Sequence, residues 1–328
     1  MTSDSQLIPT IDGAIAGDQL GVVLMHEHVL LSEPEIAAAY PGSFDPAVRI
    51  PEAQRELREL KAAGIDTIVD MTVVGLGRDI DLVRSAAIDT GLNIIAATGV
   101  YTVDELPLYF QRRGPGTLFG GPEPLEELMV RELESGIGDS GVRAAVIKCA
   151  TGPRGVTPDV ERVLRASAAA HRRTGALVST HADAATRRGL DQQRILGEEG
   201  VDPSRILVGH CGDSTDLDYL TAVLDAGSSI GMDRFGMDNI LPTAERVRIV
   251  ASLVSRGYAS QIVLSHDSNC FTVNWEKDAR ERLVPDWRLN FIPTRVLGML
   301  RDAGVAGDDL DQMMRRNPAA LLSKGDNH

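Results

Sequence analysis

The chain has 328 residues, a formal net charge of −14, and 43% hydrophobic but only 4% aromatic residues. That acidic balance argues against nucleic-acid binding, which depends on clustered Lys and Arg, and against docking on anionic lipid; a neutral small molecule is the expected partner. A core rich in Val, Ile, Leu and Ala suits buried parallel strands covered by helices.

Residues 1–20 precede the first strand-like run and are expected to form a short N-terminal extension covering the bottom of a barrel. Met1–Leu20 shows no basic stretch leading into an apolar one, so no secretory signal is expected, and no run of about 18 apolar residues predicts a membrane span. Eight short apolar runs follow: Gly21–His28, Ile65–Thr72, Leu92–Val100, Arg143–Ala150, Ala176–His181, Arg205–His210, Ser228–Asp233 and Gln261–Asp267. Helical spacing lies between them. Pro51–Ala63 carries Leu57 and Leu60 and stops at Gly64, and Pro158–Thr174 stops at Gly175. Asp191–Glu199 and Thr215–Ala226 end at Gly200 and Gly227. Pro near a helix start and Gly just past its end is the expected asymmetry.

Alternating strands and helices predict parallel strands with crossover helices. Eight such units favour an α/β fold closed as a single-domain (β/α)₈ TIM barrel over residues 21–328, with an open doubly wound sheet as the competing topology. The three cysteines, Cys149, Cys211 and Cys270, have no CxxC spacing. They read as reduced thiols of a cytoplasmic protein, with Cys149 and Cys211 turned away from the barrel axis by strand alternation.

Barrel enzymes place their reactive groups at the C-terminal ends of strands. Here those positions hold His26 and His28, Tyr101, Lys148, His181, His210, Asp233 with Arg234, and Asp267. A lone histidine is usually a hydrogen-bonded core residue, but four at one level of a barrel read as metal ligands. His26 and His28 are two apart and face the same side of a strand, whereas His266 faces the other way from Asp267. Lys148 sits in an apolar run where an unpaired ammonium is costly. Either its amine reaches a carboxylate or solvent, or a depressed pKa lets the neutral amine capture carbon dioxide as a carbamate. Asp267 is a candidate metal ligand and proton acceptor, with capping of the next segment as the plain structural alternative.

The stretches Leu24-Met25-His26-Glu27-His28, Ala97-Thr98-Gly99-Val100-Tyr101, Ile147-Lys148-Cys149-Ala150, Val208-Gly209-His210-Cys211-Gly212-Asp213, Gly231-Met232-Asp233-Arg234-Phe235-Gly236 and Arg316-Asn317-Pro318 span nearly the whole chain. Through them the sequence resembles the phosphotriesterase family of the amidohydrolase superfamily, more closely its lactonase-like branch. The resemblance implies two divalent metal ions, with zinc first and cobalt, manganese or iron also suited to such ligands. It implies that His26, His28 and Asp267 hold the more buried ion and that His181 and His210 hold the more exposed one. Lys148, carboxylated on its amine, would bridge the two.

Tyr101, and Arg234 where phosphotriesterases proper carry a His, resemble the lactonase-like branch. The function so implied is hydrolysis of lactone esters, N-acyl-homoserine lactones above all, by metal-activated hydroxide, with weak phosphotriesterase activity. A dedicated phosphotriesterase is the alternative. Asp267, Tyr101 and Arg234 are the expected catalytic residues, although Arg234 could equally be ion-paired to Asp233 or another acid. Leu76, Phe271 and Trp275 would join Tyr101 and Arg234 in binding substrate, with ordinary loop packing as the alternative for Trp275. The loop Ser268–Trp275 is about one residue longer than in some relatives, which bears on acyl-chain preference. The resemblance also implies a homodimer.

Overall fold

A computed structural model describes residues 7–40 and 42–323, so the first six residues of the expected extension lie outside the described residues. A short antiparallel hairpin, β1 (Ile8–Thr10) with β2 (Gly13–Ile15), comes first. Each of the eight apolar runs then supplies a strand: β3 (Val23–Leu31), β4 (Thr67–Asp70), β5 (Asn93–Gly99), β6 (Val146–Thr151), β7 (Leu177–Ala182), β8 (Ile206–Gly209), β9 (Ser229–Met232) and β10 (Ile262–Leu264). A further strand, β11 (Asn269–Thr272), occupies part of the stretch read from the sequence as a loop after strand eight.

β3 to β11 form one nine-stranded parallel sheet in the order β10-β9-β8-β7-β6-β5-β4-β3-β11. From β3 to β10 spatial order follows chain order without reversal, unlike the switch-point order of a doubly wound sheet. The two ends of this series meet. The N–H of Asp267, just past β10, donates to the carbonyl of His26 at 3.0 Å, and the N–H of His28 donates to Ser268 O at 2.8 Å. β11 then pairs with the end of β3, Asn269 opposite His28. The sheet is therefore curled and barrel-like.

Side-chain alternation divides the apolar core into two layers. Val23, Met25, Val69, Ile95, Val146, Leu177, Leu207 and Val263 fill the inside of the curled sheet. Leu24, Ile68, Ile94, Ile147, Val178, Ile206 and Val208 face outward onto the helices, and both Cys149 and Cys211 lie in this outer layer. Each fully buried aliphatic side chain contributes roughly 1.5–3 kcal/mol. The register of β3 against β4 shifts between Leu24 and Glu27. Through that irregularity Met25 belongs to the inner apolar layer while the next residue, His26, joins a polar cluster above it.

The helix Pro158–Thr174 forms as its signals indicate: the Thr157 hydroxyl accepts the N–H of Val160, and Gly175 ends it at φ 68°. The helix expected to begin at Pro51 begins instead at Pro46, because Asp45 caps it by accepting the N–H of Ala47; Pro51 lies within the helix. The other two run over Arg188–Glu198 and Leu217–Asp225. No helix among the described residues is long and apolar enough to cross a membrane.

The hairpin segment packs at the N-terminal ends of the strands, where the Ile11 N–H donates to Ile94 O at 2.9 Å and the Thr67 hydroxyl donates to Leu20 O at 2.6 Å. The polar cluster occupies the opposite end.

Candidate metal centre

Five strands deliver six side chains to one place at the C-terminal end of the sheet. His26 and His28 come from β3, Lys148 from β6 and His181 from β7. His210 and Asp267 follow β8 and β10. His28 Nε2 lies 3.2 Å and His26 Nε2 3.5 Å from Asp267 Oδ1. His181 Nδ1 lies 2.8 Å from His210 Nε2, and Lys148 Nζ lies 2.8 Å from His26 Nε2. His26, His28, Lys148 and His210 are buried; His181 and Asp267 are half-buried.

Lys148 can lie here because β5 makes room for its backbone. Gly99 has φ 133° in β5, and any Cβ there would collide with the Lys148 carbonyl. With 1% of its surface exposed, the Lys148 amine is buried. Its hydrogen-bond partner is an imidazole nitrogen rather than a carboxylate. Burial, the dominant cause, draws the amine down to about 8 and the His26 imidazole down to about 3. Imidazole nitrogens and the Lys148 amine converge here with the Asp267 carboxylate, and the ligating atoms of His26, His28 and Asp267 all lie within 4.8 Å of one another. Imidazole nitrogens and carboxylate oxygens at such spacing fit a borderline divalent cation.

The histidines are held by acids that sequence reasoning did not single out for this task. Asp233, at the end of β9, accepts the His210 N–H at 3.0 Å and its ring Nδ1–H at 2.9 Å, and lies 3.5 Å from His26 Nδ1. Burial raises the Asp233 carboxyl, but His210 and His26 outweigh it and hold the group far below the usual carboxylate range. His26, His210 and Asp233 also fall within 4.8 Å as a possible ligand trio. Since the Asp233 oxygens are already engaged by His210, its part is to orient that ring and leave Nε2 facing the cluster. On the other side, His28 Nδ1 meets the Thr72 hydroxyl at 2.8 Å, which in turn donates to Asp70 at 2.5 Å. The positions of Asp70 and Asp233 at strand ends are the one signal in the sequence that could have drawn attention to them.

Three of the five non-glycine residues with positive φ among the described residues are in this region: His210 at 59°, Arg234 at 65° and Asp267 at 53°. Such strain persists where surrounding contacts over-determine it, and it gathers at functional sites. Arg234 is held by two acids. Its Nε donates to Asp267 Oδ2 at 2.9 Å and a terminal nitrogen to Asp213 Oδ2 at 2.8 Å. Its ion pairs are thus with Asp267 and Asp213. Asp213 lies 2.7 Å from a terminal nitrogen of Arg246, a side chain with no exposed surface.

The Tyr101 ring stands edge-on to His181 at 5.3 Å, and burial, reinforced by the charge of Asp267, raises its hydroxyl pKa. Leu76, like Tyr101, is partly buried and packs against the inner apolar layer. Phe271 and Trp275 line a cleft of about 640 Å³ whose walls hold none of the six converging residues. That cleft is charged, with Arg49, Arg55, Arg280, Glu52, Glu56 and Glu59 among its walls. Arg49 covers the Phe271 ring at 4.7 Å, and Trp275 packs on Trp287 at 5.7 Å.

A curled parallel sheet with a histidine–carboxylate cluster at its C-terminal end has the form of a metal-dependent hydrolase. Sequence comparison reaches the same class. The profile of the phosphotriesterase family matches residues 6–322, and the chain belongs to that family. It is 48% identical over 316 residues to the phosphotriesterase homology protein of Mycobacterium tuberculosis, covering 96% of this chain and 97% of that one. It is 34% identical over 313 residues to an aryldialkylphosphatase of Saccharolobus solfataricus, covering 94% and 97% respectively. The solved structure of the phosphotriesterase from Mycobacterium tuberculosis superposes with a TM-score of 0.95 at 48% identity, over 97% of this chain and 99% of that chain. The chain is accordingly a hydrolase.

Proposed function

We propose that this hydrolase is a binuclear lactonase acting on neutral lactone esters, N-acyl-homoserine lactones foremost, with weak activity on phosphotriesters. In this reading residues 21–328 form one closed (β/α)₈ domain with 1–20 as its extension, and the protein works as a cytoplasmic homodimer. The observation that carries it is the company of the six-residue cluster: Tyr101 edge-on to His181, and Arg234 bonded to Asp267.

His26, His28 and Asp267 are assigned to one ion, His181 and His210 to a second, and carboxylated Lys148 to the bridge between them. Two divalent cations held there supply Lewis acidity toward the substrate oxygen and lower the pKa of water to near neutrality.

The protein's own groups do the rest. Burial raises the Asp267 carboxyl, but His210, His26, His28 and Arg234 together hold it well below the usual range, so it is ionised at neutral pH. Arg234 engages Oδ2, which leaves Oδ1 turned toward His26 and His28. There Oδ1 takes a proton from the attacking water as the water oxygen bonds to the lactone carbonyl carbon, and returns that proton to the alkoxide released when the ring C–O bond breaks. Tyr101, kept protonated by its raised pKa, donates a hydrogen bond to the lactone carbonyl. Arg234, always charged, favours the negative charge that develops on the tetrahedral centre. Leu76, which packs against the same inner apolar layer as Tyr101, is assigned to the acyl chain. Phe271 and Trp275 are assigned to acyl selection through the segment that follows Asp267.

A dedicated phosphotriesterase is the second reading, favoured by the relative named aryldialkylphosphatase. Specificity constants for a lactone series and an aryl dialkyl phosphotriester, measured on one preparation of known metal content, separate the two. Lactones are expected to lead by at least about a hundredfold, and a clear preference for the phosphotriester would sink the lactonase assignment.

A further inference from the structure

Glu27 sits between two proposed ligands, and alternation along β3 turns its side chain away from theirs. It nevertheless has no solvent-exposed surface. A buried carboxylate is tolerated when donors take its lone pairs. Oε1 accepts both the backbone N–H and the ring Nδ1–H of His266 at 2.8 Å, and Oε2 accepts the backbone N–H of Ser268 at 2.9 Å. The His266 ring is itself fixed: its Nε2 accepts the N–H of Ile292 at 2.8 Å, which leaves the ring proton on Nδ1.

The two backbone donors flank Asp267, whose left-handed φ of 53° requires outside support. Pairing with β3 engages the Asp267 N–H and the Ser268 carbonyl. Glu27 engages the N–H groups on either side, so the three-residue turn is gripped throughout. We propose that Glu27 is a positioning residue: its carboxylate clamps the turn 266–268 and so aims the Asp267 carboxylate at His26 and His28. The inference rests on the metal-centre reading, in which Asp267 is a ligand.

The clamp needs two acceptor oxygens. Glu27→Gln keeps the size but sets an amide NH₂ against one of the N–H donors. Glu27→Asp keeps both acceptors on a shorter arm. A clamp therefore ranks Asp above Gln, while a packing role ranks Gln above Asp. The test is titration of metal-stripped wild type, E27Q and E27D with Co(II), following visible absorption, with crystal structures of wild type and E27Q alongside. E27Q is expected to bind at least one Co(II) about 10- to 100-fold more weakly with an altered spectrum, and E27D to lie closer to wild type. Wild-type affinity and spectrum in E27Q, or weaker binding by E27D than by E27Q, overturns the proposal. Should E27Q not fold, amide exchange in the wild type decides. Slow exchange at both His266 and Ser268 supports the clamp, and exchange at the rate of an exposed loop overturns it. If wild type binds no Co(II), the metal-centre reading fails by itself. The E27Q structure then still reports on the clamp, which a displaced Asp267 supports and an unmoved Asp267 overturns.

Discussion

The Lys148 amine faces Nε2 of His26 at 2.8 Å, two buried nitrogens whose proton affinity is lowered by burial on both sides. A lysine in that state is nucleophilic near neutral pH, as carbamate formation requires. Lys148→Ala and the more space-filling Lys148→Met are expected to bring metal content below two ions per chain. Lactone turnover should fall at least about a hundredfold. Elemental analysis of each variant paired with a lactone assay checks this, and full loading with intact turnover would show that Lys148 does not bridge.

The His26 imidazole is drawn from 6.5 to about 3, first by burial and then by the Lys148 charge. A base with its folded pKa below its unfolded one is protonated more readily in the unfolded chain. Between those two values the unfolded state binds the extra proton, so metal-free stability rises with pH across the window and is lost as pH falls through it. His181, lowered chiefly by burial, acts in the same direction, while Asp233 and Asp267 titrate below their ordinary 3.8 and so fall outside the upper part of the window. One proton over one pH unit is worth about 1.4 kcal/mol. Glu56, raised by burial to about 7, and Glu27, also raised by burial, act in the opposite direction over the same window. The His26 contribution is therefore read as a difference: from about pH 6.5 to about pH 4.5 the urea midpoint of the metal-free wild type should lose more than that of His26→Asn. Parallel profiles in the two proteins contradict this.

Arg234 joins two carboxylates, so its removal acts twice. Arg234→Ala leaves Asp213 with Arg246 as its remaining partner and frees Oδ2 of Asp267. Breaking a buried ion pair from one side costs about 3–5 kcal/mol, reduced here because Arg234 is 18% exposed. Arg234→Lys should not rescue it, since one ammonium cannot reproduce a fork reaching both acids. Both variants are expected to lower kcat about 10- to 100-fold, and denaturant unfolding should show the stability loss. Wild-type kcat in Arg234→Lys would place the effect on charge alone.

Asp233→Asn tests whether the ring of His210 needs its acidic partner. The amide can accept one of the two His210 N–H bonds but sets an NH₂ against the other. Metal affinity is expected to fall about 10- to 100-fold while the fold persists. Equilibrium dialysis against zinc measures the affinity, and circular dichroism checks the fold. Unchanged affinity would assign Asp233 a purely structural part.

Much of this architecture is a local property of the chain and legible in it. Eight apolar runs separated by Gly-terminated amphipathic segments specify alternating strands and helices, because the periods of 2.0 and 3.6 are written in neighbouring residues. The same locality puts His26, His28, Lys148 and His181 on strands and His210 and Asp267 just past strand ends, and the uncharged-substrate expectation follows from composition.

What tertiary structure decided is which strands lie side by side and how each strand end bends. Asp233, Asp70 and Asp213 are among 47 acidic residues, and only strand order brings Asp233 to His210 or Asp213 to Arg234. Simple alternation does not foresee the register shift in β3 that seats Met25 and His26 in successive layers. Nor does it foresee β11, which forms because the left-handed turn at Asp267 returns the chain to pair with β3. Phe271 and Trp275, apolar in sequence, line a charged cleft because β11 and the segment after it carry them against Arg49 and Trp287. Residue type and spacing determine which groups can do chemistry; the hydrogen bonds that close the sheet determine which of them meet.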